Sequence, residues 1–384
     1  MRAALRRAAV AALGLVVIVS PAGAAPAAAV KRPSKQYTIE QFLDTVTNGG
    51  ASFSADDARI LFTSNRTGVF GVYSVPVKGG EPALVALSAD STFAVSYFPN
   101  DDRVLFTRDQ GGNELNHLYV KELDGTERDL TPGEKLKAAF RGWTPAGDAF
   151  YVQTNERDPR YFDLYRHDAK TYERKLLYKN EGLNLGVISD DGRYIALEKT
   201  NTTTDSDLYL WDATTEKSTL ISKHEGTADY DSSDFDPETK FLYYLTNEGS
   251  EFKRVRRYDL AKGTHEDVEK ADWDIWVTSF SLKGRYRTTT MDDDARTKVL
   301  LHDTQAGKVV SLPGLPAGDV SNLVVSRSEK RIAFYVSSDR SAGDLYVWSP
   351  GEAAPRQLTT SLNKEVDPEA VSYTHLTLPT ILRV

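Results

Sequence analysis

The reactive side chains of this sequence fall in short polar segments, and each chemistry they could support has its own spacing requirement. Nucleophilic hydrolysis on an α/β scaffold needs Gly-x-Ser-x-Gly, because the serine sits on a tight elbow where larger neighbours clash. The nearest approach, Gly50-Ala51-Ser52-Phe53-Ser54, lacks the second glycine. Of the six histidines, His117, His167 and His302 read as strand residues and His224 and His265 as turn residues, while His375 lies near the C-terminus. None stands in a recognisable nucleophile–base pair. Asp229, Asp231, Asp234 and Asp236 are the densest carboxylates, followed by Asp292-Asp293-Asp294. Calcium takes six or more oxygens and usually a glycine to bend the loop. This stretch offers Pro237 instead, so the aspartates read as solvated turns. With no cysteine, thiolate chemistry, disulfides and cysteine metal ligation are excluded. No phosphate cradle appears either. The expectation is no catalytic residue, no metal and no cofactor.

A more informative pattern is a series of seven polar segments at 65–70, 109–116, 155–162, 201–207, 247–252, 292–297 and 338–343. They hold Arg66, Asp109, Glu114, Asn155, Glu156, Arg157, Asp158, Arg160 and Arg340. These are the candidate residues for facing a substrate or another domain. Glu156, Arg157, Asp158 and Arg160 put both signs of charge into one loop. Such groups are costly to bury alone, so they must pair with each other or with a partner. If they wait for a partner, Glu156→Ala and Arg157→Ala should hardly move the stability of the isolated domain.

The elements that position these segments follow from a repeat. In residues 189–210 the chain turns at Asp190-Asp191-Gly192, runs apolar, breaks at a polar segment and runs apolar again at Leu208-Tyr209-Leu210. The first apolar residue after each charged turn is Ile60, Val104, Phe150, Ile195, Leu242, Arg287 and Ile332, with steps of 44, 46, 45, 47, 45 and 45 residues. Leu118-Tyr119, Leu164-Tyr165, Leu208-Tyr209 and Leu345-Tyr346 recur in step. A fixed period near 45 built from strand-like segments predicts an all-β, seven-bladed β-propeller of four-stranded antiparallel blades. The polar segments join second to third strands and so share one face, as a scaffold presents a binding surface. Trp211 and Trp348 hold equivalent places in blades four and seven and read as packing between blades. Blade six is the most degenerate, with Tyr286-Arg287-Thr288 where others have an apolar run. Blades one and seven each own a full set of strands, so neither terminus should complete the other's blade.

Residues 1–30 combine Arg2, Arg6 and Arg7, an apolar run and small residues with Ala-x-Ala choices, which predicts a secretory signal peptide and a secreted or periplasmic protein. Residues 31–50 read as a linker and a short helix capped by Thr38 with Gln41 three residues on; the apolar face of that helix must lie on the ring or on another domain. The propeller is expected over 51–363. Formal charge is −8; without residues 1–30, which hold three arginines and no acid, 44 minus 55 gives −11. That acidity argues against nucleic acid and anionic membrane as partners, and the mature chain has no expected membrane span.

Phe53-Ser54-Ala55-Asp56, then residues 60–66 and Val72-Tyr73, resemble the TolB-type propeller repeat. Residues 155–165 (NERDPRYFDLY) resemble a segment of secreted bacterial serine peptidases of the prolyl oligopeptidase family, and the short helix ahead of blade one is similar too. The resemblance covers about residues 35–370. It implies a substrate-gating propeller that caps a C-terminal α/β-hydrolase domain, with peptides as substrate. Residues 364–370 stand where such a chain would cross into that domain, while 371–384 match no repeat and read as a non-native tail. The expectation is a peptidase propeller without its catalytic domain in this chain; the alternative is a stand-alone TolB-like propeller that binds a protein partner in the periplasm or cell envelope.

Overall fold

The computed structural model describes residues 36–368. Within them the chain forms seven antiparallel sheets, each of four consecutive strands in sequence order. The charged turns work by local hydrogen bonding. In blade four Ser189 Oγ donates to Asp191 Oδ1 at 2.6 Å, the same carboxylate accepts from Arg193 N at 3.0 Å, and Gly192 takes φ 70°. A short polar side chain replaces the next backbone partner, and glycine supplies the left-handed conformation. Ser54 and Asp56 repeat the device in blade one at 2.6 Å. The strands that follow are buried on both faces, because blades stack on either side of each sheet. Leu118, Leu164, Leu208 and Leu345 are accordingly sealed from solvent.

The core is divided among the blade interfaces. Tyr151, Leu164 and Tyr178 of blade three pack with Ile195, Leu197 and Trp211 of blade four. Trp211 meets Tyr178 edge-to-face at 5.1 Å, and Trp348 packs with Tyr286 and Leu301 of blade six; both tryptophans are inter-blade packing. Ile60, Phe62 and Tyr73 of blade one pack with Tyr335, Leu345 and Val347 of blade seven, which closes the ring. No strand is exchanged at that seam. Side chains hold it: Tyr335 Oη donates to Gly50 O at 2.7 Å, and Ser326 and Ser328 both donate to Asp57 Oδ2. Blade six tolerates its polar run because Arg287 bonds Thr278 and Thr289 at 2.9 Å each and pairs with Glu269 at 2.8 Å.

The structure differs from the sequence reading in four places. The first strand, Asn48–Phe53, begins ahead of the expected start at residue 51. The segments at 155–162, 201–207 and 338–343 are mostly strand rather than loop, since Ala149–Asp158 turns into Tyr161–Asp168, Tyr194–Thr202 into Asp205–Asp212 and Ile332–Ser338 into Ser341–Trp348. These are hairpin arms at the end of the blade, where alternation loses its apolar half. His265 lies in the outer strand Thr264–Glu269 and not in a turn, held at Tyr244 Oη at 2.9 Å. Asp231 and Asp234 belong to the first strand of blade five, Tyr230–Phe235, and not to a solvated turn.

The helix Ile39–Leu43 has the expected capping box from Thr38 and Gln41. Its polar side ties to the far end of the propeller through Gln41 Nε2 to Glu365 at 2.7 Å and Asn363 Nδ2 to Gln41 O at 2.9 Å. Ile39, Phe42 and Leu43 stay exposed. The proposed signal peptide, the linker before residue 36 and the tail after 368 lie outside the described residues. Among the described residues no helix is long and apolar enough to cross a membrane.

Candidate functional site: the hairpin face and the channel

Strand register places both ends of the propeller on the face of the second-to-third hairpins. Asn48 pairs with Ser64, at the foot of the blade one hairpin, and Ser361 O receives Val46 N at 2.8 Å. Asn155 is one copy of a repeated brace. Its Oδ1 accepts from Lys137 N at 2.8 Å, just as Asn65 accepts from Thr47 N at 2.7 Å and Asn247 from Asp229 N at 2.9 Å. In each case the asparagine anchors the chain as it enters the first strand of its own blade.

The blade three hairpin pairs its charges internally. Arg157 grips the sealed Asp163 with a fork, Nε to Oδ2 at 2.5 Å and Nη2 to Oδ1 at 2.8 Å, and reaches Asn180 O at 2.8 Å. That fork holds the Arg157 guanidinium above its usual pKa. Asp158 pairs with Arg160 at 2.8 Å, whose hydrogen bond holds the Asp158 carboxyl far below the usual range. Glu156 pairs with Arg174. Burial, with Glu156 next, pushes the Tyr165 phenol up to about 12. Glu156, Arg157, Tyr165 and Arg174 line a pocket of about 570 Å³. The remaining candidates lie on the same face but apart. The Arg66 guanidinium sits 5.5 Å over the Tyr73 ring, Asp109 Oδ2 accepts from Glu114 N at 2.9 Å, and Arg340 lines a separate pocket of about 690 Å³ in blade seven. The residues of 155–160 gather into a cluster, while Asp109 and Glu114 meet only within their own loop.

Two features of the channel escape a sequence reading. The first is a ring of β-bulges. In every blade the register of the first strand slips, as between Ala94 and Ser96, Phe140 and Gly142, Ser232 and Asp234, and Ile275 and Val277. A bulge re-aims the skipped residue, here Val95, Arg141, Ser233 and Trp276. Arg141 is the charged member of that ring and Trp276, 51% exposed, the aromatic one. The second is an aromatic rim on the hairpin face, with Phe70 against Phe93 at 5.4 Å and, across the ring, Phe252 against Trp273 at 5.9 Å. A single sequence marks neither, because bulges have no residue signature.

The far end of the channel is charged. A cavity of about 200 Å³ is lined by Arg141, Trp143, Tyr151, Asp190 and Asp234 among others. Asp234 lies deep inside the ring, and burial pushes its carboxyl up to about 7 even though Phe280 N and Phe235 N both donate to it. Burial, with Asp191 next, raises Asp190. Burial lowers Arg141 and Arg327.

Among the described residues the serine and histidines that the sequence singles out are engaged with other groups or sealed. Ser52 Oγ bonds Ser96 and Tyr97 N. His117, His224 and His302 face Asp129, Asp205 and Glu269, and His167 is sealed without a partner. Among the described residues no group of three or more potential ligands could hold a metal.

A family model for the prolyl oligopeptidase N-terminal beta-propeller domain matches residues 86–341. Dipeptidyl aminopeptidase BIII of Pseudoxanthomonas mexicana is 30% identical over 174 residues, 44% of this chain and 25% of that protein. Among solved structures, a prolyl endopeptidase aligns with TM-score 0.65 and 20% identity over 85% of this chain and 51% of its own. Prolyl oligopeptidase B from Galerina marginata aligns at 0.61 and 18% over 86% and 53%. TolB from Acinetobacter baumannii aligns at 0.50 and 15% over 82% and 85%. At these identities the structures share the fold. The chain spans a quarter of the curated relative and about half of the two prolyl peptidase structures.

Proposed function

Given that this chain belongs to the prolyl oligopeptidase family by its N-terminal propeller domain, we propose that it is the substrate-gating propeller of an exported serine peptidase acting on peptides. The chemistry belongs to an α/β-hydrolase domain docked on the hairpin face, and the propeller decides which chains reach it. One observation carries this reading: both ends of the propeller, the variable hairpins and the aromatic rim share one face around a single channel. A domain joined to either end would sit over that mouth. The relative from Pseudoxanthomonas mexicana is named for peptidase activity, which supports peptides as substrate. Export rests on the basic start and apolar run of residues 1–30. The family match supports this reading over a stand-alone TolB-like partner-binding propeller.

The test is a chimera in which residues 36–368 replace the propeller of that dipeptidyl aminopeptidase. Short peptides should be cleaved while rates fall with peptide length and folded proteins resist. Equal rates on a short peptide and an unfolded long chain would sink the gating role.

A further inference from the structure

Most arginines on this propeller face a carboxylate, as Arg103 faces Asp101, Arg157 faces Asp163 and Arg287 faces Glu269. Two inside the ring make no direct ion pair, and Glu198 attracts Arg141 and Asp190 attracts Arg327 only from farther off. Arg141, re-aimed by the blade three bulge, donates through Nη2 to the carbonyls of Leu185 and Gly186. Its Nε and Nη1 donate to nothing among the described residues. Arg327 of blade seven donates through Nη2 to Pro145 O of blade three at 2.5 Å. Other inter-blade bonds join neighbours, such as Ser233 to Thr278; blades three and seven are not neighbours, so Arg327 crosses the channel. Pro145 lies two residues beyond Trp143, which lines the cavity with Arg141.

The carboxylates nearby are engaged in part, with one Glu198 oxygen left over. Glu198 attracts Arg141, but its Oε1 already receives Ser232 N at 2.8 Å and Ser232 Oγ at 2.6 Å. Asp234 uses both oxygens on backbone N–H groups. Asp190 answers Arg327. A guanidinium whose Nε and Nη1 are open while Nη2 is engaged can give an anion one charge-assisted hydrogen bond from either open nitrogen, and a carboxylate accepts it. On the facing side of the ring stands Trp276, whose bulge comes earlier in its strand than that of Arg141 and so lies nearer the hairpin face.

We propose that the channel holds a carboxylate subsite, in which Arg141 binds the C-terminal carboxylate of a peptide lying along the channel and Trp276 packs on an apolar side chain of that peptide. Arg327 then acts as a strap behind the bound end, released from Pro145 when a chain passes. The peptide points its C-terminus away from the hairpin face, and a free C-terminus becomes a condition of strong binding. This deepens the gating reading and rests on it for the identity of the ligand as a peptide.

The experiment titrates the whole chain with an N-acetylated tetrapeptide ending in leucine, as free acid and as C-terminal amide, following tryptophan fluorescence and calorimetry. The acid should bind about tenfold or more tightly than the amide, the factor expected from one charge-assisted hydrogen-bonded pair. Arg141→Gln should erase that preference at an unchanged melting temperature, and Arg141→Lys, which keeps the charge but not the placement of the guanidinium donors, should fall between. Trp276→Ala should weaken acid and amide alike. Equal affinity of the two forms, no binding of either, or a preference that survives Arg141→Gln overturns the site. The length dependence of the chimera is independent of this comparison. A gate without acid preference leaves the function and removes the subsite, and acid preference without length dependence does the reverse.

Discussion

At the residue scale, identical-looking charges have different jobs because of what lies beneath them. Arg157 covers the sealed Asp163, so its truncation leaves a carboxylate inside the blade with one backbone donor, Asn180 N at 2.8 Å. Breaking such a pair costs far more than forming it gains. Arg157→Ala should therefore lower the melting temperature of the isolated propeller clearly, contrary to the expectation that this residue only waits for a partner. Glu156→Ala removes a half-buried ion pair whose partner Arg174 stays exposed and is left free to turn to solvent, so it should move stability by about 1 kcal/mol; equal losses by thermal denaturation would refute the distinction. His167 gives a pH prediction. Its ring stacks on Phe150 at 5.1 Å, neither nitrogen has a partner, and burial, with Arg174 next, lowers its pKa to about 4 from 6.5. The unfolded chain binds the proton first, so this contribution is whole above about pH 6.5 and is lost as pH falls towards 4. The loss amounts to about 3 kcal/mol. Urea denaturation at pH 7 and pH 4 should show His167→Phe losing less than the wild type by about that amount, and parallel losses would refute it.

At the element scale, each strand earns its place from the neighbouring blade. The Leu-Tyr anchors and the tryptophans three residues after the leucine point into interfaces, which is why the 45-residue spacing of buried positions is strict while the hairpin arms vary. Trp211 shows the consequence, since it joins Tyr178 of blade three to the strands of blade four. Trp211→Ala should cost about 3–5 kcal/mol, the range for truncating a large buried aromatic. Hydrogen exchange should quicken in both blades three and four; a change confined to blade four would argue against coupling through the ring. The bulges belong to this scale too. They interrupt the first strands, where pairing with only one partner strand makes the loss of a ladder bond tolerable, and they turn seven otherwise equivalent strands into a channel wall with individual side chains.

At the scale of the whole molecule, the ring closes by side chains and packing rather than by a shared strand. Asp57, held at φ 57° and accepting from Ser326 and Ser328, is the main polar clasp between blades one and seven. Asp57→Asn keeps a residue that tolerates this backbone and removes the charge, so it should destabilise by about 1–2 kcal/mol. Exchange should rise first in Asn48–Phe53 and Ile332–Ser338, and uniform exchange around the ring would deny the seam its role. The architecture was legible in the chain because stacking buries the same positions every 45 residues and because Asp-Gly and Ser-x-Asp turns bond locally. The candidate face followed from strand order alone, since second-to-third connections must emerge on one side. The 155–160 hairpin was legible as a cluster of charges, but the pairing of Arg157 with Asp163 was not, because the hairpin's fold-back and not sequence distance brings them together. Arg141, Trp276 and Arg327 were invisible for a stronger reason. Their roles depend on bulges and on a contact between blades separated by 182 residues, and only closure of the ring sets those distances. Local hydrogen bonding and periodic burial thus wrote the propeller into the sequence, while what the channel holds was decided by bringing seven first strands around one axis.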